Sequence, residues 1–235
     1  MEKQVIWTFL PDLHGTPELF SEIQDMLPEG VKAEFVELPS NDRQDYPELS
    51  DWLVNHLTSN TPRIFIAESF SGPIALHYAE NNSHIICGIV LAASFYSSPV
   101  SKLLTILPLR LIFAFRPPEF LLKLFLIGKD TTQKQLTTLS TAIQQTSPSV
   151  IASRVRAILR LKSKNRPLLP DMPMMILQAK EDNLISSKTQ LHLEQAYPNA
   201  KVNTIQSPHL ILQREPKLCL DHILDFVDTL KISKS

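Results

Sequence analysis

A serine stands where an apolar, β-prone run gives way at once to a helical pattern. The run Arg63–Ala67 leads into Ala67-Glu68-Ser69-Phe70-Ser71, and Gly72–Glu80 reads as the helix that follows. A turn this tight leaves no room for bulk two residues either side of its apex. Small residues at Ala67 and Ser71 therefore fit an apex at Ser69, with its hydroxyl held up at the edge of a sheet. The N–H groups opening the next helix would face the same point and favour negative charge there. A serine so placed is a nucleophile in need of a base, and the base needs an orienting carboxylate. His209, in Ser207-Pro208-His209-Leu210, and Asp182, closing Ala179-Lys180-Glu181-Asp182, are the candidates. Glu181 competes with Asp182 by one residue of register, and Asp171, before a strand rather than after it, is a fallback. Taken alone, Ser69 in Ser-x-Ser-Gly is an ordinary helix-cap pattern, with Ser71 as the cap; the strand–turn–helix setting and the two partners argue for chemistry.

These residues can meet only if the intervening chain brings them to one place. Six segments read as strands: Gln4–Leu10, Ala33–Leu38, Arg63–Ala67, Ile86–Ala92, Met174–Ala179 and Lys201–Ile205. Helical patterns alternate with them at Glu18–Leu27, Tyr46–Leu57, Gly72–Glu80, Lys188–Ala196 and Pro216–Leu230. Near-continuously apolar strands alternating with helices imply an α/β fold, a mostly parallel sheet with helices on both faces. Loops after parallel strands converge at the strands' carboxyl ends, which would unite Ser69, Asp182 and His209.

Their order and the flanking motifs resemble the α/β-hydrolase superfamily, in particular compact bacterial serine carboxylesterases and thioesterases, over nearly the whole chain. Phe9-Leu10-Pro11-Asp12-Leu13-His14-Gly15-Thr16 is similar to the oxyanion loop of some members, and the segments around Asp182 and His209 are similar to the acid and histidine loops. The resemblance implies backbone N–H groups of Phe70 and Leu13 as the oxyanion hole. It places His14, Phe95 and Leu210 as substrate-lining candidates. Ala67 replaces the commoner glycine of the elbow. Asp12 stands where glycine is usual; a carboxylate facing a developing oxyanion would oppose the reaction, so Asp12 is expected to turn away and cap the helix beginning near Pro17. The implied activity is hydrolysis of carboxylic esters or thioesters with an apolar acyl or aromatic group, through an acyl-enzyme and without a cofactor. Acyl transfer, carbon–carbon cleavage by the same triad, or a catalytically weak ligand-binding relative are the alternatives.

The segment 97–171 differs from the rest, with no strand and helical patterns at Lys102–Phe115, Glu119–Leu126, Thr132–Gln145 and Ser149–Leu161. Following the fourth strand, it should hang over the active edge as a helical lid inserted into a core of residues 1–96 and 172–235. Its apolar stretch 103–127 is broken by Arg110, Arg116, Lys123 and three prolines, so it is not read as a membrane span, although weak association with a membrane surface fits its character. A net charge of −1 gives no reason to expect nucleic acid; a small-molecule or acyl-carrier-linked ester is the expected partner. No metal-ligand spacing occurs among the seven histidines. Cys87 and Cys219 sit in apolar periodic segments and read as buried free thiols, and with no signal peptide visible the expected compartment is cytoplasmic. Five glycines against eighteen prolines mean that some tight turns use other residues.

Overall fold

A computed structural model describes residues 5–40, 44–57, 59–99 and 117–230. Six parallel strands, β1 (Ile6–Leu10), β2 (Lys32–Phe35), β3 (Arg63–Glu68), β4 (Ile86–Ala92), β5 (Met174–Ala179) and β6 (Lys201–Ile205), form one sheet in the order β2-β1-β3-β4-β5-β6. The register sets Leu10 beside Ala67, Glu68 beside Ala92, Ala92 beside Leu177 and Ala179 beside Ile205. The loops carrying Leu13, Ser69, Phe95, Asp182 and His209 therefore leave the sheet from one edge.

Strand periodicity divides the core between the two faces. Phe65, Ala67, Ile89, Leu91 and Ile176 share one cluster with Leu49 and Leu53 of α2 (Tyr46–His56), Ile74 of α3 (Gly72–Asn81) and Leu193 of α7 (Ser187–Ala196). The alternate residues Ile64, Ile66, Val90, Ala92 and Leu177 meet Ile23 of α1 (Ser21–Asp25) and Leu220, Ile223 and Phe226 of α9 (Pro216–Thr229). Each of the larger of these side chains (Val, Leu, Ile, Phe), when fully buried, stabilises the fold by about 1.5–3 kcal/mol of transfer free energy. The sheet is covered on both faces, as its largely apolar central strands require.

Helix ends follow local chemistry. Asp45 caps α2 by accepting from the Glu48 amide, with Pro47 in the first turn. Thr132 and Gln135 make a reciprocal capping box at the start of α5 (Gln133–Gln145), and Ser147 caps α6 (Pro148–Arg160). Between β4 and β5 lie these two helices, the short α4 (Glu119–Leu122) and a π-helical turn, Lys123–Ile127. The helix expected over 102–115 falls outside the described residues. The helix expected over 18–27 is instead a 3₁₀ turn, Pro17–Phe20, followed by the shorter α1; α8 (Ile211–Arg214) is a further short helix after His209. Cys219 is buried, Cys87 half-buried, and both are free thiols. Among the described residues no helix is long and apolar enough to cross a membrane.

Candidate active site

The turn from β3 into α3 puts Ser69 in the left-handed region, φ 46°, a conformation disfavoured for any residue with a side chain. Neighbouring contacts hold it there. Ser94, just past β4, donates its hydroxyl to the Ser69 carbonyl at 2.7 Å. Ser71 donates to the Pro11 carbonyl, tying the elbow to the loop after β1. It makes no side-chain capping bond to α3, so the cap expected at Ser71 is replaced by this link between loops.

Ser69, His209 and Asp182 form a continuous hydrogen-bonded chain. His209 Nε2 lies 2.8 Å from Ser69 Oγ, and His209 Nδ1 lies 2.7 Å from Asp182 Oδ2. The carboxylate can only accept, so Nδ1 carries the proton and Nε2 presents a lone pair to the serine hydroxyl. The other oxygen of Asp182 accepts from the Leu184 and Ile185 amides, both at 2.8 Å, which fixes the carboxylate plane. Burial disfavours the imidazolium of His209, but the charge and hydrogen bond of Asp182, helped by Asp12 and Glu68, outweigh it and raise its pKa. Glu181 points elsewhere and accepts from Gln206. Its backbone N–H donates to the Ser207 carbonyl, joining the acid loop to the histidine loop.

The segment between β4 and β5 grips both of those loops. Asn183 donates to the Leu124 carbonyl at 2.7 Å, and the Leu210 amide donates to the Leu126 carbonyl at 3.0 Å, both acceptors lying on the π-helical turn. The turn ends at Gly128, φ 84°, packed against Pro208 so closely that a Cβ would stand 3.0 Å from the proline ring.

Phe70, whose amide follows Ser69, is fully buried, its ring 5.1 Å from that of Tyr46. Leu13 lies in a turn closed by the Gly15 amide bonding the Asp12 carbonyl at 2.8 Å. Asp12 is buried and caps nothing: Thr16 occupies the N-cap position of the 3₁₀ turn, with no side-chain cap. The expected capping role of Asp12 is thus overturned, because the chain turns at Gly15 before the helix begins and leaves Asp12 buried. The ring of His14 is buried and bonds the Thr16 carbonyl at 2.9 Å; burial above all lowers its pKa. Phe95 is buried beyond β4. Leu210 is fully covered and packs with Leu19, Leu122 and Ile127 in a small cluster, so its side chain joins the 119–145 region to the core rather than facing an open pocket.

Two features had no usable sequence signal. Glu68 is completely buried, and its carboxyl is pushed up to about 8, chiefly by burial and further by Asp12. It accepts from Gln213 at 3.0 Å. Arg154 of α6 is buried against the loop after β1. Each depends on a partner more than a hundred residues away.

Comparison with known proteins agrees with this architecture. An esterase (EaEST) from Exiguobacterium antarcticum is similar in structure, with TM-score 0.81 and 14% identity, covering 97% of this chain and 94% of that one. A carboxylesterase structure from Nitrososphaera gargenis gives TM-score 0.77 at 14% identity, covering 97% and 91%. MenH from S. aureus gives 0.74 at 17%, covering 97% and 95%. No curated protein matches in sequence. The family profile described as Hydrolase_4, serine aminopeptidase S33, matches residues 43–211, which span the Ser69 turn, Asp182 and His209. By that match over most of its length and by its fold, the chain belongs to the serine aminopeptidase S33 family of α/β-hydrolases.

Proposed function

We propose that this protein is a serine hydrolase that cleaves carboxylic esters or thioesters of an apolar acyl or aromatic substrate. The observation that carries this reading is the unbroken chain Ser69 Oγ–His209 Nε2 and His209 Nδ1–Asp182 Oδ2, at 2.8 and 2.7 Å, ending on a serine in a left-handed turn. Ser69 Oγ attacks the acyl carbonyl while His209 takes its proton and then delivers it to the departing alkoxide or thiolate. Asp182 keeps the imidazole in the required tautomer and stabilises the imidazolium. The amides of Phe70 and Leu13 receive the oxyanion. Water, activated by His209, then hydrolyses the acyl-enzyme. No cofactor enters these steps. Segment 97–171 acts as the lid, with apolar surface (Phe120 is 65% exposed) for a greasy acyl chain or its carrier. Ester chemistry is favoured over amide chemistry by the names of similar structures, which include an esterase and carboxylesterases.

The test combines intact-protein mass spectrometry after a fluorophosphonate with turnover of p-nitrophenyl esters from acetyl to palmitoyl and of aminoacyl p-nitroanilides. A single adduct on Ser69 with ester turnover is expected, absent in Ser69→Ala. Faster anilide turnover would shift the reading to the aminopeptidase chemistry in the family's description, and neither adduct nor turnover would leave a ligand-binding relative. Adding an alcohol acceptor separates hydrolysis from acyl transfer.

A further inference from the structure

Arg154 is the largest completely buried side chain of the described residues, and it comes from the segment between β4 and β5 rather than from the sheet. All three guanidinium nitrogens are used. Nη1 donates to the Leu13 carbonyl at 2.7 Å, Nη2 to the Pro39 carbonyl at 3.1 Å, and Nε to Gln44 Oε1 at 2.8 Å. The guanidinium carbon also lies 5.8 Å from the centre of the Phe70 ring. Arg154 thus touches both residues whose amides are assigned to the oxyanion hole. The fit against the loop is tight, since a Cβ on Gly15 would stand 2.1 Å from Nη1. On the far side of the same loop Ser71 holds the Pro11 carbonyl.

We propose that Arg154 is a positioning residue for the oxyanion hole, a clamp by which the lid helix α6 fixes the Leu13 peptide and the Phe70 side chain in their working geometry. Rotation of the Leu13–His14 peptide would carry its carbonyl off the guanidinium, and the Leu13 backbone, including its amide, would lose its anchor. The planar fork of arginine suits this task because it meets three acceptors, on the loop after β1 and on the β2–α2 connection, in fixed directions from three separate nitrogens, whereas an ammonium directs all its donors from one point. The positive charge also answers the anomaly at Asp12. Burial pushes the Arg154 pKa down to about 10, the Asp12 carboxylate counters that shift, and the group stays cationic at neutral pH. The field of a buried carboxylate beside a developing oxyanion is thereby offset from the lid. A lid that supplies the clamp is part of the reaction machinery as well as a cover, so displacing it would weaken catalysis even with the Ser69–His209–Asp182 chain intact.

This inference rests on the hydrolase reading above, and the test keeps the two apart. Arg154→Lys retains charge but loses the fork; Gln44→Ala removes one support of the guanidinium without touching the loop, and decides the matter if Arg154→Lys does not fold. In both, kcat for the best p-nitrophenyl ester should fall, by about 10–100-fold for Arg154→Lys against the 10²–10³-fold typical of losing an oxyanion donor outright, with KM within about threefold. Affinity for a trifluoromethyl ketone matched to that acyl group should fall in step with kcat/KM, because the ketone binds as an oxyanion. The downfield proton resonance of His209 Nδ1 should not move. Unchanged kcat, a loss carried by KM, or ketone affinity that fails to follow the rate would overturn the clamp. If the wild-type protein shows neither turnover nor a Ser69 adduct, the hydrolase reading fails and amide exchange judges the clamp separately. The Gly15 and Leu38 amides, bonded at 2.8 Å to the Asp12 and Gly15 carbonyls, should then exchange at least about tenfold faster in Arg154→Lys while β3 and β4 amides keep their protection. Equal exchange at Gly15 and Leu38 would remove the proposal.

Discussion

The Ser94 hydroxyl donates to the Ser69 carbonyl from a position only 1.8 Å from where a Cβ on Gly72 would stand. The left-handed turn at Ser69 thus depends on a residue that faces it across the strand gap and on the absence of a side chain three residues along. Gly72→Ala should expel the Ser94 hydroxyl and relax the turn. We expect kcat to fall by at least about tenfold, with overpacking of about 1–3 kcal/mol against stability. Ser94→Ala isolates the hydrogen bond: it removes one of two donors to the carbonyl, which still accepts from the Gly72 amide, at about 0.5–1.5 kcal/mol and without the clash. Full activity in Gly72→Ala would show that the turn does not need this contact.

The choice between adjacent acids has an equally direct readout. Asp182→Asn keeps the shape but forces His209 toward the wrong tautomer, and in other triads that exchange lowers kcat by about 10⁴. Glu181→Gln should leave kcat within about threefold, because Glu181 bonds Gln206 at the surface and not the imidazole. The reverse ranking would reassign the acid and with it the register of the loop after β5.

The proposed reactive residues were legible because their signals are local and their positions topological. Ser69 has its strand–turn–helix setting, and Asp182 and His209 each close a strand in the required order, so an alternating pattern was enough to bring them to one sheet edge. Parallel strands were equally legible, since burial on both faces leaves apolar runs at Ile64–Ala67 and Met174–Leu177. The failures share a cause. Asp12, in a place where glycine is usual, reads as a cap for the helix near Pro17, yet Gly15 turns the chain first; Ser71 reads as the cap of Ser-x-Ser-Gly, yet its hydroxyl crosses to Pro11. Arg154 lies in a basic helical stretch, Arg154 to Arg160, that looks like a solvated face, and nothing short of the packed fold reveals that it alone is sealed against the loop after β1. Short polar side chains and buried charges choose partners in space, and periodicity carries no record of that choice.

Asp12 makes a prediction about pH. Although burial opposes protonation of His209, the nearby carboxylates Asp182 and Asp12 raise its pKa, and the proposed general base works only when neutral. The acidic limb of the kcat/KM profile should therefore report His209. Asp12→Asn removes a negative charge that favours the imidazolium, which lowers the His209 pKa and moves the limb to lower pH. The plateau above it should be equal or higher, since one opposing charge beside the oxyanion is gone. A limb that stays fixed or moves upward would mean that Asp12 does not act on His209 through its charge.

Glu68 separates stability from activity. Its carboxyl is completely buried and is pushed from an ordinary 4.5 up to about 8, first by desolvation and then by Asp12, against the opposing hydrogen bond from Gln213. Between these two values the unfolded chain has released the proton while the folded protein still holds it, so each rise in pH favours unfolding. The slope from this one group approaches 1.4 kcal/mol per pH unit across the middle of that window and vanishes outside it. Glu68→Gln cannot titrate. It also offers an N–H toward Gln213 Oε1, which like Glu68 Oε1 has no partner among the described residues. Denaturant unfolding of both proteins at pH 5, 6.5 and 8 should show the variant gaining on the wild type as pH rises, with other titrating groups cancelling in the difference. A difference that is flat with pH would mean that Glu68 ionises in the folded protein as readily as in the unfolded chain. A difference that shrinks with rising pH would mean that its charge is stabilised in the fold, by the Gln213 amide and His209.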